Sequence, residues 1–349
     1  MATITVPAGL PEKVKTILQP NIQTTELILT ETPFPVPDHP DDVLVRVHTA
    51  APCRGELLWA KNFPQMIPAD KLPVPCQDLA GKVVAAPAGS DFAAGDNVFC
   101  RIDASRPGTA REYTLARVQE LAHMPRSLSW VDAAAVPLSS LTAWQALFVQ
   151  GTLDAGGLTT ESDAAAGREH NRKQRVLITG AAGGVGSWAV QLAALAGAGA
   201  VVAVCGSDKD ATVRDLGATE VVDYHKTTIS DWVAADASRQ VDLVVDMIGG
   251  ETLAGCWDAV KDGGALISVN TPPDMVKPVG VSKEVSKSLF FVVEPSGKNL
   301  GEIAALVEAG KVKPLVDSVW AMEDFKEAFE RVGPGHAKGK AIIKVAPSA

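Results

Sequence analysis

Apolar and polar positions follow three regimes along this chain. Up to about residue 130 the apolar runs are short and broken by turn residues. Val43-Leu44-Val45-Arg46-Val47-His48 alternates with the period of two expected of a half-buried strand. Leu27–Thr30, Gly81–Ala86 and Asp96–Cys100 read as further short strands, and prolines punctuate the stretch from Pro33 to Pro75. This region predicts a small barrel or sandwich. From about Trp130 the pattern lengthens into one or two helices interrupted at Pro137. The polar stretch from Gly151 to Lys173 has no apolar period and reads as an inserted surface loop. Strands then alternate with helices: Val176–Thr179, Val201–Cys205, Glu220–Val222, Val241–Val245, Ala265–Val269 and Leu289–Val293. Their near-continuous apolar character predicts a doubly wound α/β unit, a parallel sheet buried on both faces. The end of the chain adds an amphipathic helix near Leu300–Glu308. A second helix follows, with Phe325, Ala328, Phe329 and Val332 on one face, and then a last strand, Ala341–Val345.

Chemistry concentrates where the first strand of the sheet ends. Arg175-Val176-Leu177-Ile178-Thr179 runs into Gly180-Ala181-Ala182-Gly183-Gly184-Val185-Gly186 and then into a helix with Val185, Ala189, Leu192 and Ala196 on one face. That order builds the first βα turn of a dinucleotide-binding fold. Glycines let backbone approach a pyrophosphate, and the helix N-terminus offers amide donors and the positive end of its dipole. In the strict G-x-G-x-x-G spacing Ala181 stands at the first glycine, while Gly183 and Gly186 fill the other two.

Bulk properties narrow the partners. A length of 349 residues predicts two domains. A net charge of -9 argues against nucleic acid or an anionic membrane as the main partner. The opening MATITVPAGLPEKVKTIL lacks a basic start followed by an apolar run, so it does not read as a signal peptide. No apolar run reaches the length of a membrane span. Five cysteines, scattered and without a C-x-x-C pair, read as reduced thiols of a cytoplasmic protein.

Four segments together resemble the medium-chain dehydrogenase/reductase superfamily, most closely its zinc-independent quinone oxidoreductase and enoyl reductase branch. They are Ala135–Trp144, Val176–Gly186, Asp242–Asp246 with Ile248–Leu253, and Lys338–Ala341. The resemblance covers most of the chain, and the 151–173 loop departs from it. It implies a GroES-like β-barrel domain over residues 1–135, completed by residues 297–349, with a Rossmann dinucleotide-binding domain over 136–296. It also implies a substrate cleft between the two domains.

Several residues acquire expected roles. Ala182, Gly183, Gly184 and Val185 face the pyrophosphate. The end of the second sheet strand, Val204-Cys205-Gly206-Ser207-Asp208-Lys209, carries no acid at its terminus, where an NAD-specific site usually has one. Small residues leave room for a phosphate, Ser207 can donate to it and Lys209 supplies charge, so NADPH is the expected cofactor. By resemblance Tyr224 also reaches the 2′-phosphate. Against this, Ser207 or Asp208 can cap the next helix, and Asp208 can bind ribose in a shifted register. His225 follows Tyr224 and reads as a solvated histidine. The resemblance further places Thr142, Asn270, Phe291 and Val292 near the nicotinamide, with Lys340 as a phosphate contact.

Related alcohol dehydrogenases hold catalytic zinc through a cysteine, a histidine and a second cysteine or carboxylate. Here Cys53 stands near the first ligand position, but the Gly-His-Glu element reads Cys76-Gln77-Asp78, so no metal is expected. A rival set of Cys53, Cys76 and Asp78 stays open. Without a Lewis acid to stabilise an alkoxide, reduction of a quinone or of the C=C bond of an α,β-unsaturated carbonyl compound is the expected chemistry. Tyr113 and Arg54 are the catalytic candidates, as a proton donor and a carbonyl-orienting cation, against packing and a surface ion pair. Trp59 and Phe63 either shape the substrate pocket or pack in the core. A trans-acting enoyl reductase serving a polyketide synthase is the enzymatic alternative, and a nucleotide-binding regulatory protein without turnover the other. A homodimer completes the expectations.

Overall fold

The computed structural model describes residues 4–159 and 164–346. The chain divides into two compact units, one of residues 1–141 with 294–349 and one of residues 142–293.

The first unit opens with a hairpin of β1 (Lys13–Leu18) and β2 (Ile28–Pro33). Its main sheet uses β3 (Asp42–Ala51), β4 (Asp78–Ala85), β5 (Asn97–Arg101), β6 (Tyr113–Arg117) and β7 (Leu121–His123). Short helices α1 (Trp59–Asn62) and α2 (Trp130–Ala134) interrupt and follow these strands. The alternation seen at Val43–Val47 puts Val43, Val45 and Val47 into one apolar core with Ile17, Leu79, Val98 and Cys100. The helical run broken at Pro137 continues as α3 (Pro137–Trp144), with proline at the first helical position, where its missing N–H costs nothing.

In the second unit the polar stretch from Gly151 to Lys173 is not a plain loop. It holds a 3₁₀ turn, Ala155–Leu158, and α4 (Ala164–Asn171), while residues 160–163 lie outside the described ones. The buried Asn171 organises it: Asp154 N donates to Asn171 Oδ1 at 2.8 Å, and Asn171 Nδ2 donates to the carbonyls of Asp154 and Ala196 at 2.9 and 2.8 Å. A polar core residue of this kind leaves no apolar period to read. The sheet follows with β8 (Arg175–Ile178), α5 (Gly184–Leu195), β9 (Ala200–Cys205), α6 (Asp210–Asp215), β10 (Glu220–Asp223), α7 (Ile229–Ala234), β11 (Val241–Asp246), α8 (Gly250–Ala259), β12 (Val260–Ser268) and β13 (Lys287–Phe290). All six strands are parallel, in the order β10-β9-β8-β11-β12-β13. The order turns back beside β8, the switch point where such sheets bind ligands outside their carboxyl ends.

The chain then returns to the first unit through α9 (Gly297–Glu308), β14 (Val316–Ala321), α10 (Phe325–Val332) and β15 (Lys340–Lys344). β15 pairs with β3, giving the order β14-β15-β3-β4-β5-β7, with β6 also on β3. Phe325, Ala328 and Met322 join the barrel core.

Candidate active site

The glycine turn separates two reasons for being glycine. A Cβ on Gly186 would stand 2.2 Å from the Gly180 carbonyl oxygen, so close helix–strand packing alone forbids a side chain there. A Cβ on Gly183 would meet only that oxygen, at 3.2 Å, with open space beyond. Gly183 is the N-cap of α5 and no side chain caps the helix. Backbone amides at Gly184 and Val185 therefore head a helix whose mouth lacks a capping oxygen, an arrangement suited to an anion. Ala182 is buried behind them.

The carboxyl ends of three neighbouring strands are tied together by one buried carboxylate. Asp246, at the end of β11, accepts from Thr179 Oγ1 at 2.6 Å, Ser268 Oγ at 2.9 Å, and the amides of Ile248 and Gly249 at 3.2 and 3.0 Å. This fixes the turn at Gly249, whose φ of 76° favours glycine. Asn270 lies beside that turn, exposed, its Oδ1 accepting from Thr271 Oγ1 at 2.8 Å. The Phe291 amide donates to the Ser268 carbonyl at 3.1 Å, Val292 is exposed and Thr142 is buried.

At the end of β9, Ser207 donates to the Asp223 carboxylate at the end of β10. Asp223 also pairs with Lys226 at 3.1 Å, and its pKa is lowered to about 2 by the Ser207 hydroxyl, against desolvation, and by the His225 amide and Lys226. Tyr224 is exposed with its ring 4.4 Å from that of His225. The space over Gly206 is bounded by Tyr224 Oη, His225 Nε2 and Asp208 Oδ1, all between 3.1 and 3.2 Å from where its Cβ would be. Lys209 closes the 3₁₀ turn Ser207–Lys209. The acid at this corner thus comes from the neighbouring strand, which inspection of the β9 end alone missed.

In the barrel unit, Lys340 is buried, with its ammonium 2.9 Å from Asp78 Oδ2 and donating to the Pro52 carbonyl at 3.0 Å. Burial alone would lower its pKa; Asp78, Cys53 and Glu56 hold it above the usual value. The expected phosphate contact is corrected accordingly, since this ammonium is already spent on a buried carboxylate. Arg54 is exposed, its guanidinium against the backbone of Gly335. The Tyr113 ring packs on Phe34 at 5.2 Å. Phe63 is exposed, whereas Trp59 lines a cavity.

Glu56 was not singled out from the sequence. It is buried and accepts the amides of Cys53 and Cys76 at 2.7 and 2.8 Å. Desolvation raises its pKa to about 7 despite those bonds and the nearby Lys340 and Lys71.

The Cys53, Cys76 and Asp78 set does not fit a zinc ion. Cys76 lies in the barrel core, and burial pushes its thiol well up. Cys53 is likewise pushed to about 11 by burial. Asp78 holds Lys340 and accepts the Leu138 amide at 2.6 Å. A ligand set needs deprotonated donors with free lone pairs. No group of three potential ligands occurs among the described residues.

A parallel sheet with a glycine turn at its switch point, on the same chain as a largely antiparallel sheet, defines a dinucleotide-binding oxidoreductase architecture. Residues 39–126 match the alcohol dehydrogenase GroES-like domain, and residues 216–343 match the zinc-binding dehydrogenase family. A probable zinc-binding oxidoreductase, mitochondrial, of Arthroderma benhamiae is 41% identical over 99% of this chain and 100% of its own length. The mitochondrial NAD(P)H oxidoreductase RTN4IP1 of Danio rerio is 31% identical over 89% of this chain and 86% of its own. The quinone oxidoreductase of Coxiella burnetii superposes with a TM-score of 0.76 at 25% identity, covering 96% of this chain and 100% of that one. The chain belongs to the medium-chain dehydrogenase/reductase superfamily, among its zinc-binding dehydrogenase and quinone oxidoreductase relatives.

The relatives also correct one expectation. Two of them are mitochondrial by name, which points away from the cytoplasm. The cytoplasmic expectation rested on scattered, unpaired cysteines. They carry no information about which reducing compartment holds it.

Proposed function

We propose that this chain is an NADPH-dependent reductase of quinones or of the activated C=C bond of α,β-unsaturated carbonyl compounds, working without zinc. The observation that carries the cofactor half is the mouth of α5, where Gly183 is the N-cap and no side chain caps the helix, so its first amides are left for an anion. Bound there, the reduced nicotinamide dinucleotide supplies hydride. The chain's residues grip the pyrophosphate through the Gly184 and Val185 amides and hold the strand ends through Asp246.

Preference for the phosphorylated cofactor is supported by Lys209, which closes the turn after β9, with Tyr224 and His225 beside Gly206. Asp223 lies at the same corner, but Ser207 and Lys226 already engage it. Acceptor reduction rather than alcohol oxidation is supported by the donor set, in which Gln77 replaces a histidine ligand and Asp78 is committed to Lys340. The relatives named as NAD(P)H and quinone oxidoreductases support the same reading.

The test is steady-state oxidation of NADPH and NADH with quinones, enones and enoyl thioesters in parallel. Turnover of quinones or enones, unaffected by chelators and with kcat/KM higher for NADPH, is expected. Saturable cofactor binding without turnover of any acceptor would instead make the chain a nucleotide-binding regulator. Turnover restricted to enoyl thioesters would move it to the enoyl reductases.

A further inference from the structure

The corner where β9 and β10 end holds a hydrogen bond that bears on cofactor choice. The two strands run parallel with Cys205 opposite Asp223, so Asp223 stands one strand spacing, about 4.8 Å, from the end of β9. Ser207, two residues past Cys205, donates its hydroxyl to Asp223 Oδ2. Lys226 Nζ lies 3.1 Å from the same oxygen, and the His225 amide donates to Oδ1 at 3.1 Å. The Ser207 hydroxyl, with the His225 amide and Lys226, holds the carboxyl at a pKa of about 2 against desolvation, so Asp223 is charged at neutral pH. In a sheet of this kind the adenosine ribose lies at the end of the second strand beyond the glycine turn. The turn Ser207–Lys209 opens at that place, with Gly206 as its N-cap and the polar ends of Tyr224 and His225 over it.

A 2′-phosphate there carries about two negative charges and needs donors. Ser207 has one hydroxyl hydrogen, and it points at Asp223. The Lys226 ammonium faces the same carboxylate. Asp223 therefore acts on an incoming phosphate in two ways. It occupies the hydroxyl donor at the end of β9, and it sets a like charge within a Debye length of the phosphate. A ribose with a bare 2′-hydroxyl carries no charge to repel.

We propose that Asp223 is a specificity-determining residue, which engages Ser207 and so holds down the preference for the phosphorylated dinucleotide, leaving NADH usable beside NADPH. The proposal rests on the NADPH reading and deepens it. The role is one of positioning, exerted through Ser207 and Lys226, and every residue in it belongs to the second unit. An amide in place of the carboxyl inverts the arrangement. Its oxygen still accepts the His225 amide, while its NH2 group donates to Ser207 Oγ and leaves the hydroxyl hydrogen for a ligand. The like charge disappears with the same change.

The experiment reads binding and not turnover. NADP⁺ and NAD⁺ are titrated calorimetrically into the full chain for wild type, Asp223→Asn, Ser207→Ala and the double variant. Asp223→Asn should tighten NADP⁺ at least threefold more than NAD⁺. Ser207→Ala should weaken NADP⁺ less than threefold in the wild-type background and at least threefold beside Asp223→Asn, because only there is the hydroxyl available. A smaller gain, a loss, or an equal gain for NAD⁺ on Asp223→Asn overturns the proposal. So does a loss of threefold or more from Ser207→Ala alone, which would put the hydroxyl on the phosphate already. Ser207 is exposed, so that arm does not depend on how Asp223→Asn folds. Wild-type protein that binds neither dinucleotide defeats the cofactor reading and the proposal together. Wild-type protein that prefers NAD⁺ defeats the NADPH reading alone, and the shift on Asp223→Asn still decides the proposal.

Discussion

Glu56 makes the stability of the barrel depend on pH in a way that can be worked out from its surroundings. The carboxyl is buried, and desolvation holds its pKa at about 7 against an ordinary 4.5, although two backbone amides and the cations Lys340 and Lys71 pull the other way. Below pH 4.5 the group is protonated in the folded and the unfolded chain alike, and its contribution is complete. As pH rises through the window between the two values, the unfolded chain releases the proton and the folded one keeps it. Stability therefore falls, and the loss is complete above about pH 7. At about 1.4 kcal/mol per pH unit, the displacement is worth about 3 kcal/mol. Urea unfolding of wild type and Glu56→Gln at half-unit steps from pH 5 to 8 reads this directly. The difference between the two curves reports Glu56 together with the groups its charge acts on, Lys340, Lys71, Cys53 and Cys76. The wild type should lose about 2.5 kcal/mol relative to the variant across that range, the rest of the displacement being lost below pH 5. Parallel curves would refute the reasoning and show that the two amides and the lysines outweigh desolvation.

Other predictions follow from single contacts. Gly186→Ala drives a methyl group to 2.2 Å from the Gly180 oxygen and should cost about 3 kcal/mol in urea unfolding, with cofactor binding lost as well; wild-type stability would remove the close-packing role. Gly183→Val crowds only the Gly180 oxygen, at 3.2 Å, so it should cost less stability than Gly186→Ala while abolishing dinucleotide binding by calorimetry; unchanged affinity would sink the assignment of the α5 mouth. Lys340→Met strands the buried Asp78 carboxylate and should cost about 3–5 kcal/mol, much of it recovered in the Lys340→Met, Asp78→Leu double variant; additive losses would show that the pair is not coupled. Lys209→Glu should raise KM for NADPH at least tenfold more than for NADH, and equal effects would take Lys209 away from the 2′-phosphate.

The parallel sheet was legible because its inner strands β8, β9 and β11 are buried on both faces and read as nearly unbroken apolar runs, whereas the edge strands β10 and β13 are only partly buried. The glycine turn was legible because backbone geometry restricts residue choice there. Elements with mixed faces were harder. In Lys13–Leu18 the buried residues are Val14, Thr16 and Ile17, so a polar residue occupies an interior place. Its hydroxyl is satisfied across the hairpin by Thr32 at 2.7 Å, a pairing invisible until the strands meet. Val316–Ala321 is only partly buried along its length and carries Asp317 and Ser318, which hides its strand period. In the 151–173 stretch the stabilising contacts come from one buried asparagine rather than from an apolar stripe.

The site residues divide along the same line. Those whose role is backbone approach, such as Gly183, follow from local pattern. Those whose role depends on partners brought in from afar do not. Asp78 and Lys340 are 262 positions apart and meet only because β15 returns to pair with β3. That return also bears on the word zinc in the names of the matched family and relative. In the sequence, Cys53, Cys76 and Asp78 form a conceivable ligand set with one carboxylate. In the folded barrel the carboxylate is taken by a buried ammonium and both thiols are held in their protonated form by burial. A divalent ion there would have to displace Lys340, whose charge is otherwise left buried beside it, and the repulsion adds to the cost of ionising the buried Cys76 and the half-buried Cys53. That competition supports the zinc-independent reading proposed above, as does Gln77 at the position where the resemblance expects a histidine.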